Sequence, residues 1–200
     1  MLDRFYPVVP DSTWVDRLVP IGTRLIQLRI KDQSNEEIRR QVRHAKDVCV
    51  LHGAQLIVND YWQAAIDENC DFVHLGQEDL ADADIKALRR AGIRIGVSTH
   101  DHAELEKGLA VDPDYVALGP IYPTKLKQMP WAPQGAERLG EWKRLIGDRP
   151  LVAIGGLTLD RALLCLQSGA DIAAVVGDIV NHRDPVAQAK AWIAATRKQR

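Results

Sequence analysis

The chain has 200 residues, 46% of them hydrophobic, and a formal net charge of −1. That is enough for one sizeable core, and the near-neutral balance excludes non-specific binding to nucleic acid or an anionic membrane, so any anion site has to come from local clustering. Cys49, Cys70 and Cys165 show neither CxxC nor metal-ligand spacing, the N-terminus has no signal-like layout and no run approaches ~18 apolar residues, so a soluble cytoplasmic protein with reduced thiols, in small core or near-surface positions, is expected.

Eight short apolar runs follow one another: Tyr6–Val9, Leu25–Ile30, Leu56–Asn59, Phe72–Leu75, Ile93–Ser98, Tyr115–Gly119, Leu151–Gly155 and Ile172–Val176. A helix-like stretch follows each. The second begins with a capping box, Ser34-Asn35-Glu36-Glu37, and continues with Ile38, Val42, Ala45 and Cys49 on one helical face. Asp82 and Thr158 read as caps of two others, Gly169 as a stop, and Asp184-Pro185 as the opening of the last helix. Eight βα units in one undivided chain predict a compact single-domain α/β protein, a (β/α)₈ TIM barrel with short loops. A doubly wound sheet is disfavoured, because Pro7-Val8-Val9-Pro10-Asp11-Ser12 offers no glycine-rich turn after the first strand. The exception to short loops runs from Pro120 to Gly135, on the face where barrels keep their active sites, and is a candidate lid.

The polar residues at the strand ends form the candidate site. In Gln27-Leu28-Arg29-Ile30-Lys31, period-2 alternation puts Gln27, Arg29 and Lys31 on one strand face, offering an amide, a guanidinium fork and an ammonium to one anion. Asn59-Asp60 ends the third strand and Asp79 follows the fourth. Two carboxylates from adjacent strands, completed by phosphate oxygens and water, suit Mg²⁺, although either alone reads equally well as a helix N-cap. Ile154-Gly155-Gly156 and Val176-Gly177 end strands seven and eight, where barrels hold a phosphate on backbone N–H groups; a glycine in a tight turn explains the GG pair equally well. The residues thus point to a Mg-dependent enzyme acting on a diphosphate.

Six segments, taken in order, resemble the thiamine phosphate synthase family: 27–31, Val58–Trp62, Val73–Leu80, Gly96–Asp101, Pro123–Pro130 and Val152–Gly156. The resemblance implies joining of a pyrimidine methyl diphosphate to a thiazole phosphate, with release of pyrophosphate and formation of thiamine phosphate; a homodimer is common for barrels of this kind. It assigns the pyrimidine diphosphate to Gln27, Leu28, Arg29, Ile30, Lys31, Asn59, Ser98 and Lys127, with Arg29, Lys31, Ser98 and Lys127 serving the chemistry. Mg²⁺ falls to Asp60 and Asp79, and the thiazole phosphate to Thr124, Lys125, Leu126, Gly156, Val176 and Gly177. The chain departs from the family pattern at Leu126, where a second threonine is usual, and at Gly177-Asp178, where a serine and a small residue are usual. Losing one hydroxyl bond to a charged group costs roughly 1.5–3 kcal/mol, which weakens a phosphate site without abolishing it. Asp178 either faces that phosphate or caps the next segment. His100 has an acid/base reading in the related thiazole tautomerases and otherwise orients a loop; His74, within a strand, reads as a satisfied non-catalytic histidine; Trp131 either stacks on a substrate ring or anchors its loop. The competing functions are a tautomerase acting on the thiazole phosphate alone, which has no need of a diphosphate metal site, and a non-catalytic sensor of phosphate ligands.

Overall fold

The computed structural model describes residues 2–124 and 131–198. The expected strands form: β1 (Phe5–Val9), β2 (Leu25–Leu28), β3 (Gln55–Asn59), β4 (Phe72–Leu75), β5 (Arg94–Thr99), β6 (Tyr115–Leu118), β7 (Leu151–Ala153) and β8 (Ile172–Val175). They are parallel and close in chain order, with β8 pairing back onto β1. This is the (β/α)₈ barrel expected from the repeating units, and its helices surround the closed sheet.

Period 2 divides each strand between two cores. In β1, Phe5 and Val9 belong to the layer between sheet and helices, while Tyr6 and Val8 point into the barrel. The inner core also takes Leu25, Ile57, Phe72, Tyr115, Val152 and Ile172, so the lumen is filled rather than open. The outer layer is covered by helices whose apolar faces match it. In α2 (Asn35–His52), Ile38, Val42, Ala45 and Cys49 are buried, and Ser34 caps the helix by accepting from the Glu37 N–H at 3.2 Å. Asp184 likewise caps α10 (Pro185–Arg197), with proline in its first turn, and Thr158 caps α8 (Leu159–Gln167), with Gly169 at φ +113° just beyond its end.

Most strand limits shift by one or two residues from those expected, β7 for instance ending at Ala153 rather than Gly155, and two differences bear on the argument. β2 ends at Leu28 rather than Ile30, although the Arg29 N–H still donates to the Val9 carbonyl at 2.8 Å and carries the register one step further. Asp82 is not a cap: it is the last residue of α4 (Gln77–Asp82), and Asp84 caps the following α5 (Ile85–Arg90) by accepting from the Ala87 N–H. The three cysteines are buried and unbridged, with burial pushing the Cys49 and Cys70 thiols up to about 12. Among the described residues no helix is long and apolar enough to cross a membrane.

Candidate active site at the carboxyl ends of the strands

The barrel's register carries Gln27, Asn59 and His74 onto its inward face at successive strands, each buried. Gln27 Nε2 donates to Tyr6 Oη at 2.7 Å. Asn59 is 4% exposed, and its Nδ2 has no hydrogen-bond partner among the described residues. Leaving such a donor unmet costs about 1–3 kcal/mol, a cost that a ligand acceptor removes. Leu28 and Ile30 differ: both side chains are buried in the outer layer, so at these two positions the main chain is what remains for a ligand.

Asp60 follows Asn59 with φ +64°, a left-handed conformation that a non-glycine residue adopts only where its surroundings impose it. Here its N–H donates to the His74 carbonyl at 2.9 Å and its carbonyl accepts from the Trp62 N–H at 2.8 Å. The N-cap reading is not realised, because Tyr61 takes the cap position of α3 (Trp62–Asp67) and no side chain bonds there. Asp60 instead turns its carboxylate to Lys31, Nζ to Oδ2 2.9 Å, with the Lys31 side chain 47% exposed and that of Asp60 18%. Asp79 is not a cap either; it lies in the first turn of α4, behind Gly76. A Cβ on Gly76 would come within 2.9 Å of Asp79 Oδ2, so glycine is what leaves room for the carboxylate. Gln77 Nε2 fastens the start of α4 to β5 by donating to the Ser98 carbonyl at 2.7 Å.

Partial burial first, and then the neighbouring Asp60 carboxylate, raise the Asp79 pKa above the ordinary carboxylate value, with Lys31 opposing. Two acidic groups held against each other with one ammonium nearby are an arrangement that a divalent cation relieves. No cluster of three or more His, Cys, Asp or Glu side chains suited to a metal occurs among the described residues. The pair therefore fits a cation that takes few protein ligands and completes its shell with phosphate oxygens and water, which is the habit of Mg²⁺.

Ser98, near the end of β5, meets His74 Nε2 at 2.8 Å, and His74 Nδ1 meets Tyr115 Oη at 2.7 Å. Burial lowers the His74 pKa to about 4, with Arg29 and His100 adding to the shift and Asp60 opposing it, so the ring is neutral at pH 7. His100 is held by Glu104, whose Oε2 lies 2.6 Å from Nδ1 and also accepts the His100 main-chain N–H, and its ring stacks on Trp131 at 4.0 Å. Both side chains of that pair are thus engaged in orienting loops.

On the opposite side of the mouth, Gly155 and Gly156 have φ +101° and +65°. A Cβ on Gly155 would come within 2.6 Å of Pro120 Cα, and one on Gly156 within 2.5 Å of the Pro123 carbonyl oxygen, so the strand-seven turn lies directly under residues 120–123. Close backbone packing accounts for both glycines. Thr124 continues that segment; Lys125, Leu126 and Lys127 lie outside the described residues, as does the middle of the Pro120–Gly135 loop. Val176 caps the short α9 (Gly177–Val180). Asp178 is engaged by the last helix, its Oδ2 accepting from Gln188 Nε2 and Trp192 Nε1, each at 2.7 Å, which ties α9 to α10.

The chain matches the family described as thiamine monophosphate synthase over residues 6–179. It belongs to that family. The thiamine-phosphate synthase of Rhizobium etli is 58% identical over 195 residues, covering 98% of this chain and 96% of the relative, and that of Citrobacter koseri is 48% identical over 179 residues, covering 90% and 85%. Among solved structures, a thiamine phosphate pyrophosphorylase from Pyrococcus furiosus superposes with a TM-score of 0.86 at 23% identity, covering 98% of this chain and 96% of that one, which shows the shared fold. Membership of the thiamine monophosphate synthase family places the chain among the transferases of thiamine biosynthesis.

The reading of the sequence missed Tyr6 and Tyr115, which look like ordinary aromatic strand residues, and, although His74 is the satisfied strand histidine expected, nothing in the sequence shows that these three join Gln27 to Ser98. The available signal was the alternation itself, which places Tyr6, Gln27, His74, Ser98 and Tyr115 all on inward positions.

Proposed function

We propose that the chain joins 4-amino-2-methyl-5-(diphosphooxymethyl)pyrimidine to a thiazole phosphate, giving thiamine phosphate and pyrophosphate, with Mg²⁺ held by Asp60 and Asp79. The observation that carries this reading is the meeting of Asp60, Asp79 and Lys31 beside the Asn59 Nδ2, which has no partner among the described residues. A leaving diphosphate needs cations and N–H donors, and this rim supplies both. When bound, Mg²⁺ neutralises charge on the leaving diphosphate.

The chain's own residues bind and orient. Lys31, drawn toward the mouth by Asp60, and Arg29, continuing β2, place positive charge beside the diphosphate, and Lys127 adds a further cation from the loop after β6. Asn59 Nδ2 donates to the pyrimidine diphosphate, while Gln27 and Ser98 line the same wall. The thiazole phosphate takes the turn at Gly156 and the start of α9, with Thr124, Lys125 and Leu126 beside it. The nucleophile is the thiazole nitrogen, so the enzyme's task is to hold two substrates in line and keep water from the electrophilic methylene, and no protein nucleophile is needed.

The test is to incubate purified protein with both substrates and Mg²⁺ and to measure thiamine phosphate and pyrophosphate. Equimolar formation of the two, abolished by chelator, is expected. Rearrangement of the thiazole phosphate alone would identify a tautomerase, and tight binding of both ligands without products would identify a sensor; either result refutes the synthase reading.

A further inference from the structure

The geometry points to a directional hydrogen-bonded chain through the barrel lumen, in which Tyr6 and Tyr115 are positioning residues that fix Ser98 as a hydrogen-bond donor toward the mouth. The chain runs Gln27 Nε2 to Tyr6 Oη 2.7 Å, Tyr6 Oη to Tyr115 Oη 2.9 Å, Tyr115 Oη to His74 Nδ1 2.7 Å and His74 Nε2 to Ser98 Oγ 2.8 Å. It rests on the reading of Ser98 as part of the diphosphate site.

The direction follows from counting protons. Gln27 presents its amide nitrogen, which only donates, so Tyr6 Oη accepts there and has its own proton left for Tyr115. Burial raises the pKa of both phenols, so each keeps that proton. Tyr115 then donates to His74 Nδ1, and a neutral imidazole with Nδ1 accepting carries its single N–H on Nε2. That N–H is spent on Ser98 Oγ. Four donors make four bonds, and the serine proton is left over. Among the described residues Ser98 Oγ has no acceptor, so the proton is free for an anionic ligand oxygen, and no base stands ready to make the serine a nucleophile.

The lumen is shaped to hold this chain. Gly96 lies on β5 against the Tyr115 ring, where a Cβ would come within 2.1 Å of Cζ, so glycine is what admits the phenol across the barrel. Tyr115 stacks on His74 at 5.6 Å with planes 11° apart and meets Tyr6 edge-on at 6.1 Å, which fixes both hydroxyls. If the amide of Gln27 presented its oxygen instead, every bond would reverse and Ser98 would donate to His74, facing the ligand with lone pairs that repel a phosphate. The two directions therefore predict opposite tautomers of a single histidine.

The experiment is nitrogen NMR of substrate-free protein labelled with ¹⁵N-histidine, with the His74 signals identified by their loss in His74→Gln. A protonated Nε2 and a bare Nδ1 are expected, and the opposite tautomer overturns the proposal. In parallel, Tyr115→Phe and Tyr6→Phe are assayed for synthesis of thiamine phosphate, with melting curves as the check on folding. Tyr115→Phe is expected to lower kcat about tenfold or more while leaving the KM for the thiazole phosphate unchanged, as expected when one oriented hydrogen bond worth ~1.4 kcal/mol is lost in the transition state. Tyr6→Phe shifts kcat in the same direction by less. Folded variants of both tyrosines with wild-type kcat overturn the positioning role. Should Tyr115→Phe fail to fold, Tyr6→Phe and the wild-type tautomer still decide the question. The tautomer is read without substrate or turnover, so a failure of the synthase reading is told apart from a failure of the proton order.

Discussion

Asp79→Asn separates the cost of the proposed metal site from its use. In the metal-free protein, the ionised Asp79 is disfavoured first by partial burial and then by Asp60, against the opposing pull of Lys31 and of the α4 backbone. The amide keeps the shape and removes the charge. Because the carboxylate is only partly buried and stays open to screening by solvent, the gain is small, about 0.5 kcal/mol, which for a chain of this size raises Tm by about 1–2 °C. With Mg²⁺ and pyrophosphate present, the order reverses. Saturation to 100 times Kd stabilises the wild type by about 2.7 kcal/mol, or roughly 5–11 °C, whereas a variant with one carboxylate fewer binds the ion at least about tenfold more weakly and gains correspondingly less. The assay is a set of melting scans with and without inorganic pyrophosphate and Mg²⁺, beside turnover against Mg²⁺ concentration. Crossing of the two proteins is the expected signature. A variant that melts below the wild type without metal, and gains as much from Mg²⁺ and pyrophosphate, refutes the reasoning.

Asn59→Ala leaves the unfolding free energy within about 1 kcal/mol of the wild type, since among the described residues no acceptor loses a partner at Nδ2, yet weakens pyrimidine diphosphate binding roughly ten- to hundredfold, as titration calorimetry would register. Asp178→Ala strips the acceptor from Gln188 and Trp192 and lowers Tm by about 4–8 °C for a loss of ~2 kcal/mol, while kcat at 25 °C stays unchanged; a gain in thiazole-phosphate affinity would show that the carboxylate faces the ligand after all. The Glu68 pKa is lowered, chiefly by its two hydrogen bonds from Arg43, so its contribution to stability is present above the unfolded-state carboxylate pKa and is lost as pH falls through the folded value. Glu68→Gln should therefore flatten the acid limb of Tm against pH and leave the neutral region less stable, and an unchanged acid limb would contradict the assignment.

The fold was legible because each unit repeats the same instruction. An apolar run buried on both faces and a following helix recur from β1 to α10, and the errors, such as the strand limit at Leu28 and the cap at Asp84 rather than Asp82, lie at boundaries where neighbouring residues compete for the same role. The convergence of the candidate residues was legible for a related reason: in a barrel every strand delivers its last residues to one rim, so Asp60, Asp79 and Lys31 meet although 48 positions separate the first of them in sequence, Lys31, from the last, Asp79. What the sequence hid is what depends on depth rather than order. Tyr6, Tyr115 and His74 join Gln27 to Ser98 only because they occupy the same level of the lumen, a level set by the stagger of the strands. Asp178 shows the converse, since its place in the chain suggested a phosphate neighbour and its bond to Trp192 engages it with the last helix. Chain order thus tells which residues reach the rim, and strand stagger tells which of them touch; the candidate site of this barrel is written in the first, and its proposed proton order in the second.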